Sequence, residues 1–327
     1  GEELARVDPT GSTCVYYLVP AAWGRLIWLY GTVEAKEELL PRFTRGEWWC
    51  GVATTEADTG SDLGNMQTTI RPAEDEDGYI VNGAKQYISG VREASTRGGG
   101  HVTLARQDLE SGVRGMTLFF LPLTVDGIEI TIDREMGREG ISTGGFRIDD
   151  VRIPSYYVLG EPNRGFYIVH EGYEAARGII ACVCAGAGLK ALENAVAYVK
   201  ERRAFGRPLG RYQGIQFPLA EHWARLQMVR DWSYKALRLM DQEREGKAGR
   251  FEVSQAIAVA KLFSPMWAFD AINFAMQVQG AFGYSQECDE QRALRAIRSF
   301  GWAEGTSEIM RLIIAREVLG GSSWKGY

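Results

Sequence analysis

The hydrophobic period of this chain changes twice, and that double change restricts its fold more than any other feature. Residues 13–30 are aromatic or aliphatic on nearly every side, with Tyr16, Tyr17, Leu18, Trp23, Leu26, Ile27 and Trp28 among them. A helix that is apolar all round is one buried all round. Residues 33–45 set a charged face against Leu39, Leu40 and Phe43, the pattern of a second helix with its apolar stripe inward. From about Trp48 to Pro154 the helical period vanishes. Runs at 101–106, 115–121, 128–132 and 146–153 read as short strands, and Tyr79-Ile80-Val81 behind Asp77-Gly78 reads as the return strand of a hairpin. Beyond Gly165 the helical period returns, over 165–204, 213–246, 253–278, 286–300 and 306–319. The breaks are Phe205-Gly206-Arg207-Pro208, residues 280–283 and Gly320-Gly321. Helices, then strands, then helices make a segregated α+β plan. It divides into an N-terminal helical part (1–47), a middle β-domain of barrel or sandwich type (48–158) and a C-terminal helical domain (159–327).

Composition narrows the function only by exclusion. The 327 residues allow about two domains on length alone. Hydrophobic residues at 45% and charged residues at 24% rule out a disordered or fibrous chain. A net charge of −5 is no general footprint for nucleic acid. The cysteines at 14, 50, 182, 184 and 288 are odd in number and scattered, as small core residues in a reducing compartment would be. His101, His170 and His222 lack metal-ligand spacing, so no metal site is expected. No apolar run approaches the roughly 18 residues of a membrane span. The segment 179–189, rich in Ala, Gly and Cys, suits close helix packing instead. The opening GEELARVDPTGS shows no signal-peptide pattern.

Five motifs have the residue types for chemistry, and each also has a plainer reading. Thr54-Thr55-Glu56-Ala57-Asp58-Thr59-Gly60-Ser61-Asp62 clusters hydroxyls and amides that can hold a phosphate or a hydrogen-bonding ring, or simply make a turn. In Tyr87-Ile88-Ser89 a strand would place the aromatic and the hydroxyl on one face, ready for a planar ring or merely for solvent. Arg202-Arg203-Ala204-Phe205-Gly206-Arg207-Pro208 offers three guanidinium groups to a pyrophosphate, or caps a helix C-terminus. Gln277-Val278-Gln279-Gly280-Ala281-Phe282-Gly283 is a helix stop that also permits close backbone approach. In Ala303-Glu304-Gly305-Thr306-Ser307-Glu308, Thr306 or Ser307 suits an N-cap and Glu308 a first helical turn, but Glu304 suits neither. A carboxylate among Phe300, Trp302 and Ala303 has the setting of a general base for carbon acids, or is an exposed loop residue.

Taken in this order and spacing, the five motifs resemble those of the acyl-CoA dehydrogenase family over nearly the whole chain, from about Trp23 to Leu319. The resemblance implies a helical N-terminal domain, here incomplete, a middle β-barrel-like domain and a C-terminal four-helix bundle. It implies FAD as cofactor and an acyl-CoA thioester as substrate. Glu304 matches the family's base, which removes the α-proton while the β-hydrogen leaves as hydride to flavin N5, giving a trans-2-enoyl-CoA. The Glu304 backbone N–H and a flavin hydroxyl would hold the thioester oxygen. Some relatives carry the base at the position of Ala176, where alanine cannot serve. Thr54, Thr55, Ser61, Tyr87, Ser89, Arg202, Phe205, Gln213, Gln277, Gly280, Ala281, Thr306 and Glu308 match cofactor contacts. Ser61, Glu174, Arg177 and Gly305 match contacts to the ligand.

Relatives that oxidise glutaryl-CoA place an Arg near Thr13 for its second carboxylate; no Arg lies between Arg6 and Arg25, so the resemblance argues against that substrate. The aromatics at 16, 17, 23 and 28 either narrow the acyl pocket or form core. The resemblance further implies electron-transfer flavoprotein as acceptor and a homodimer or homotetramer. It implies a place in fatty acid or amino acid catabolism, in the cytoplasm of a prokaryote or the mitochondrial matrix of a eukaryote. Acyl-CoA oxidase, nitroalkane oxidase, monooxygenase and non-catalytic subunit are the alternatives on the same fold.

Overall fold

The computed structural model describes residues 1–74 and 77–320. The chain gathers into two compact units, one of 16–135 and 139–173, the other of 1–15, 136–138 and 174–327. In sequence order come helices α1 (Glu2–Val7), α2 (Ser12–Tyr30) and α3 (Val33–Thr44). Thr32 starts α3 by accepting the Ala35 N–H, as an N-cap hydroxyl should. Strands β1 (Trp49–Ala53), β2 (Thr69–Pro72) and β3 (Tyr79–Ser89) follow, then a short helix α4 (Val91–Arg97). After it come β4 (Gly99–Arg106), β5 (Met116–Pro122), β6 (Ile128–Ile132) and β7 (Thr143–Ile153). These seven strands form one curled sheet in the order β1-β4-β2-β3-β7-β6, with β5 on β4.

The hairpin signal at Asp77-Gly78 holds, since β2 and β3 pair antiparallel with Pro72 opposite Tyr79. Helix α4 was not expected inside a run of strands. β4 also departs from expectation. Its sequence reads as a half-buried alternation, yet every residue from Gly99 to Ala105 is buried. β4 pairs with β1, β2 and β5, and a strand covered on both faces buries its polar members too. His101, Thr103 and Thr117 of this region are all fully buried.

The second unit is helical. Helix α5 (Gly165–Glu201) is followed by a two-strand hairpin, β8 (Arg203–Ala204) and β9 (Arg207–Pro208). Then come α6 (Gln213–Arg244), α7 (Arg250–Val278), α8 (Asp289–Ser299) and α9 (Ser307–Val318). The core between α5, α6 and α7 is built from small and branched residues, Ala181, Ala236, Val253, Ala256, Ile257 and Ala260. A second cluster, Ala258, Leu262 and Met310, seats α9 against α7.

The expectation that no segment is apolar enough to span a membrane needs correction. An 18-residue window of α5 reaches a mean hydropathy of 1.5, because scattered polar residues do not offset its Ala, Val, Ile and Cys. Within the protein 72% of that window is buried, which is how a core helix acquires such a composition. The five cysteines are unpaired and buried.

The arginine-rich segment also departs from the capping reading. α5 ends at Glu201, and residues 203–208 turn back on themselves. Phe205 and Gly206 have φ of +49° and +83°. Positive φ at both central residues of a two-residue loop is the primed turn whose twist matches antiparallel strands. Gly takes that conformation freely; a Phe there costs roughly 1–2 kcal/mol.

Candidate active site

In the β-bearing unit, the expected cofactor contacts cluster around β3. Its register against β7 slips by one residue between the pairs Lys85–Phe146 and Ile88–Gly144. At that bulge Tyr87 adopts φ +61° and is 66% exposed, so an aromatic face is turned to solvent by a left-handed backbone. Ser89, two residues on, is half-buried. Its carbonyl accepts a hydrogen bond from Nε2 of the buried His101 at 3.0 Å. Burial pushes the His101 imidazole down to about 4, against the opposing pull of Ser89 and Glu93. It is therefore neutral at physiological pH, with its proton on Nε2.

The Thr54–Asp62 segment is pinned from inside. Glu56 and Thr59 exchange backbone hydrogen bonds of 2.8 and 3.3 Å, which closes the turn. The Glu56 carboxylate accepts N–H groups from Gln67 at 2.6 Å and Thr68 at 2.9 Å, and the ammonium of Lys85 at 3.0 Å. Lys85 is fully buried and also reaches the Thr54 carbonyl at 3.2 Å. The Gln86 N–H donates to the Thr55 carbonyl, so the same stretch of β3 that carries Tyr87 fixes this loop. Burial lowers the Lys85 ammonium to about 8, opposed by Glu56. Burial acts the other way on Glu56, but Lys85 and the three donors from Gln67 and Thr68 outweigh it and hold the carboxyl below its usual range. Thr54 is buried, its hydroxyl 2.7 Å from the Tyr173 hydroxyl, whereas Ser61 is exposed. Sequence inspection overlooked Lys85, His101 and Tyr173.

In the helical unit the remaining candidates form three groups. Phe205 is 97% exposed at the tip of the β8–β9 hairpin, beside the exposed Arg202, Arg203 and Arg207. Tyr212 binds the hairpin to the start of α6 through its hydroxyl, 2.8 Å from the Ala204 carbonyl, and this brings Gln213 alongside. Gln277, Gly280 and Ala281 lie together, all exposed, where α7 ends at a Gly280 of φ +61°. Thr306, Glu304 and Gly305 lie on the loop before α9, and the exposed Glu308 occupies its first turn.

The loop before α9 is the most tightly organised. Thr306 caps the helix by accepting the Ile309 N–H at 3.2 Å. Ser307 N–H returns to the Gly301 carbonyl at 3.2 Å and closes the loop. Glu304 and Gly305 have φ of +58° and +106°. For Glu that conformation costs about 1–3 kcal/mol and persists only where the surroundings impose it. The surroundings are two buried cations. Arg177 Nε donates to the Glu304 carbonyl at 2.7 Å. Lys261 Nζ donates to the Gly305 carbonyl. Arg177 is 5% exposed and Lys261 is fully buried.

One turn before Arg177 on α5, Glu174 is 4% exposed and hydrogen-bonded to Arg250 and Ser254 of α7. Burial raises the Glu174 carboxyl despite Arg250, Ser254 and Arg177. Arg250, Ser254 and Lys261 were absent from the sequence reading. A lone Lys in the apolar run Ala256–Phe263 was the available signal, since a buried ammonium needs partners.

These donors fit a flavin dinucleotide. An aromatic held outward on a left-handed backbone suits a planar ring, and clustered exposed guanidinium groups beside a protruding Phe suit a pyrophosphate and a base. The β-bearing unit thus presents an outward-held aromatic, and the helical unit presents exposed guanidinium groups beside a protruding Phe and a carboxylate on a left-handed backbone.

Comparison with known proteins identifies the family. The acyl-CoA dehydrogenase middle-domain model matches residues 51–151, and the C-terminal-domain model matches 163–319. The chain is 33% identical over 311 residues to the probable acyl-CoA dehydrogenase YngJ of Bacillus subtilis, covering 94% of this chain and 79% of that protein. It is 30% identical over 321 residues to subunit CarC of the caffeyl-CoA reductase–Etf complex of Acetobacterium woodii, covering 97% and 80% respectively. The structure of butyryl-CoA dehydrogenase from Megasphaera elsdenii matches with a TM-score of 0.88 at 28% identity, over 97% of this chain and 80% of that one. The chain belongs to the acyl-CoA dehydrogenase family, flavoprotein oxidoreductases that act on CH–CH bonds.

Proposed function

We propose that this chain catalyses the α,β-dehydrogenation of an acyl-CoA thioester to the trans-2-enoyl-CoA, with Glu304 as the base. The observation that carries this reading is the Glu304 pivot: a half-buried carboxylate on a left-handed backbone whose carbonyl is held by Arg177. FAD would supply the acceptor for the β-hydride when bound. Its candidate contacts are Tyr87, Ser89, Thr54 and Thr55 on the β-bearing unit and Gln213, Gln277, Gly280, Ala281, Thr306 and Glu308 on the helical one, with Arg202 and Phe205 serving the FAD of a second copy.

The chain's own task is to remove a proton that an unassisted carboxylate at neutral pH leaves in place. The backbone N–H of Glu304 binds the thioester oxygen and stabilises the negative charge that develops there as the α-proton passes to the side chain. Base and oxyanion donor then belong to one residue, and a fixed main chain at 304 sets both. Glu174, Arg177, Ser61 and Gly305 position the ligand. A second copy of the chain completes the cofactor site around Phe205, and electron-transfer flavoprotein receives the electrons. The relative that serves a reductase–Etf complex supports the same chemistry run in reverse, with Glu304 returning the α-proton to an enoyl-CoA.

The test is anaerobic. Purified protein should carry FAD and bleach with some member of a panel of straight, branched, cyclic and aryl acyl-CoAs. Glu304→Gln should keep its flavin and bleach about 10²–10⁴-fold more slowly, the range for losing a general base. Bleaching at the wild-type rate in that variant refutes the assignment.

A further inference from the structure

We propose that Lys261 is a positioning residue for the reaction: together with Arg177 it fixes the main chain at Glu304 and Gly305, and so aims the Glu304 carboxylate. This rests on the reading of Glu304 as base.

Lys261 lies in α7 among the buried residues Ala256, Ile257, Ala258, Ala260 and Leu262. For helix packing alone an apolar side chain would serve better, because a buried ammonium loses its hydration. What the ammonium gains is the loop before α9. It donates to the Gly305 carbonyl and lies 3.5 Å from the Gly301 carbonyl, at the other end of that loop. Arg177, from α5, takes the adjacent carbonyl, that of Glu304. Two consecutive peptide oxygens are thus drawn to two cations on two different helices. Holding these two successive peptide planes fixes the dihedrals between them, those of Gly305 with its φ of +106°, and anchors the carbonyl side of Glu304, whose own φ is +58°.

The charged and titratable groups around Lys261 come from three elements. They are Arg177 and Cys184 on α5, Glu304 on the loop and Glu308 on α9. Burial, reinforced by Arg177, brings the ammonium down to about 8, while Cys184, Glu304 and Glu308 oppose the fall. The charge that grips Gly305 therefore disappears in mildly alkaline solution.

The test uses flavin-loaded enzyme and whichever acyl-CoA of the panel bleaches the wild type fastest, from pH 6 to pH 10. Lys261→Met should keep its flavin and its acyl-CoA affinity but bleach about 100-fold more slowly, the scale of a displacement of about 1 Å at the reacting atoms. Lys261→Gln restores an N–H donor and should recover about ten-fold of that loss. The wild-type rate should fall above about pH 8, and both variants should lack that limb.

Lys261→Met bleaching within about three-fold of wild type overturns the proposal. So does Lys261→Gln no faster than Lys261→Met, or an alkaline limb that persists in both. Should Lys261→Met lose its flavin, Lys261→Gln decides: slower bleaching without the limb supports the role, and wild-type rate and profile refute it. Glu304→Gln, run in parallel, separates the failures. Full bleaching there removes the base assignment itself. A dead Glu304→Gln beside an unaffected Lys261→Met removes only the positioning role.

Discussion

The buried Lys85–Glu56 pair makes an asymmetric prediction about which partner the Thr54–Asp62 loop depends on. In Lys85→Met, Glu56 keeps the N–H groups of Gln67 and Thr68 and the Thr68 hydroxyl, with donor distances between 2.5 and 2.9 Å. It loses one charge-assisted bond, worth about 1.5–3 kcal/mol. In Glu56→Gln the fully buried ammonium loses its counter-ion and is left with neutral acceptors, the Thr54 carbonyl at 3.2 Å, the Met66 sulfur at 3.9 Å and the single side-chain oxygen remaining at position 56. An amide nitrogen also replaces one of the oxygens that accepted from the loop. Leaving a buried charge without its counter-ion costs about 3–5 kcal/mol. Glu56→Gln should therefore destabilise more than Lys85→Met.

The pH dependence identifies the cause. Lys85 has a folded value of about 8, below its ordinary 10.5, so the unfolded chain binds more protons between those values. This group's contribution to stability accordingly rises with pH from about 8 upward and is flat below. In Glu56→Gln the attraction that raised the Lys85 value is gone, and the rise begins at lower pH. The deficit of Glu56→Gln relative to wild type should shrink between pH 6 and pH 8, by up to about 1.4 kcal/mol per pH unit. Urea unfolding followed by tryptophan fluorescence at those two pH values measures it. An equal deficit at both, or a larger deficit for Lys85→Met, refutes the reasoning.

Two further outcomes follow from strained backbone. Phe205→Asn places at φ +49° a residue suited to it, and should raise the thermal midpoint by an amount equivalent to about 1 kcal/mol while weakening FAD retention in gel filtration. Gly305→Ala asks an L-residue to adopt φ +106° with its Cβ 3.1 Å from Arg177 Nη2, and should slow anaerobic bleaching by at least about ten-fold with flavin still bound.

The helices from α5 to α9 were legible because their punctuation is chemical. Gly and Pro between α5, α6, α7, α8 and α9 fall where the period breaks, and Thr306 stands where a cap should. The β8–β9 hairpin was not legible, because its turn puts Phe at a position where Asn, Asp or Gly is the usual signal. The bulge that turns Tyr87 outward depends on its pairing with β7, and one strand's sequence does not state its partner's register. Lys261 escaped for a different reason. Its partner is a backbone carbonyl 44 residues away, and backbone groups leave no trace in residue types. Arg177 was noticed as a charge near the ligand, but its hold on the Glu304 carbonyl depends on the fold bringing α5 under the loop.

Helix α5 sets a limit on how this protein can be made more robust. Replacing glycine with alanine in a helix interior ordinarily gains about 1 kcal/mol, and α5 holds Gly172, Gly178, Gly186 and Gly188. None of them has room. A Cβ at Gly172 would strike the Trp23 ring, and one at Gly186 would strike the Glu2 backbone. At Gly178 it would come within 2.5 Å of Leu237, and at Gly188 within 2.9 Å of Leu226. The helix is locally weaker than its length suggests, and its neighbours can approach only because of that weakness. Thermostabilising changes must therefore be sought at the exposed turns, such as Phe205, and not along the backbone of the core.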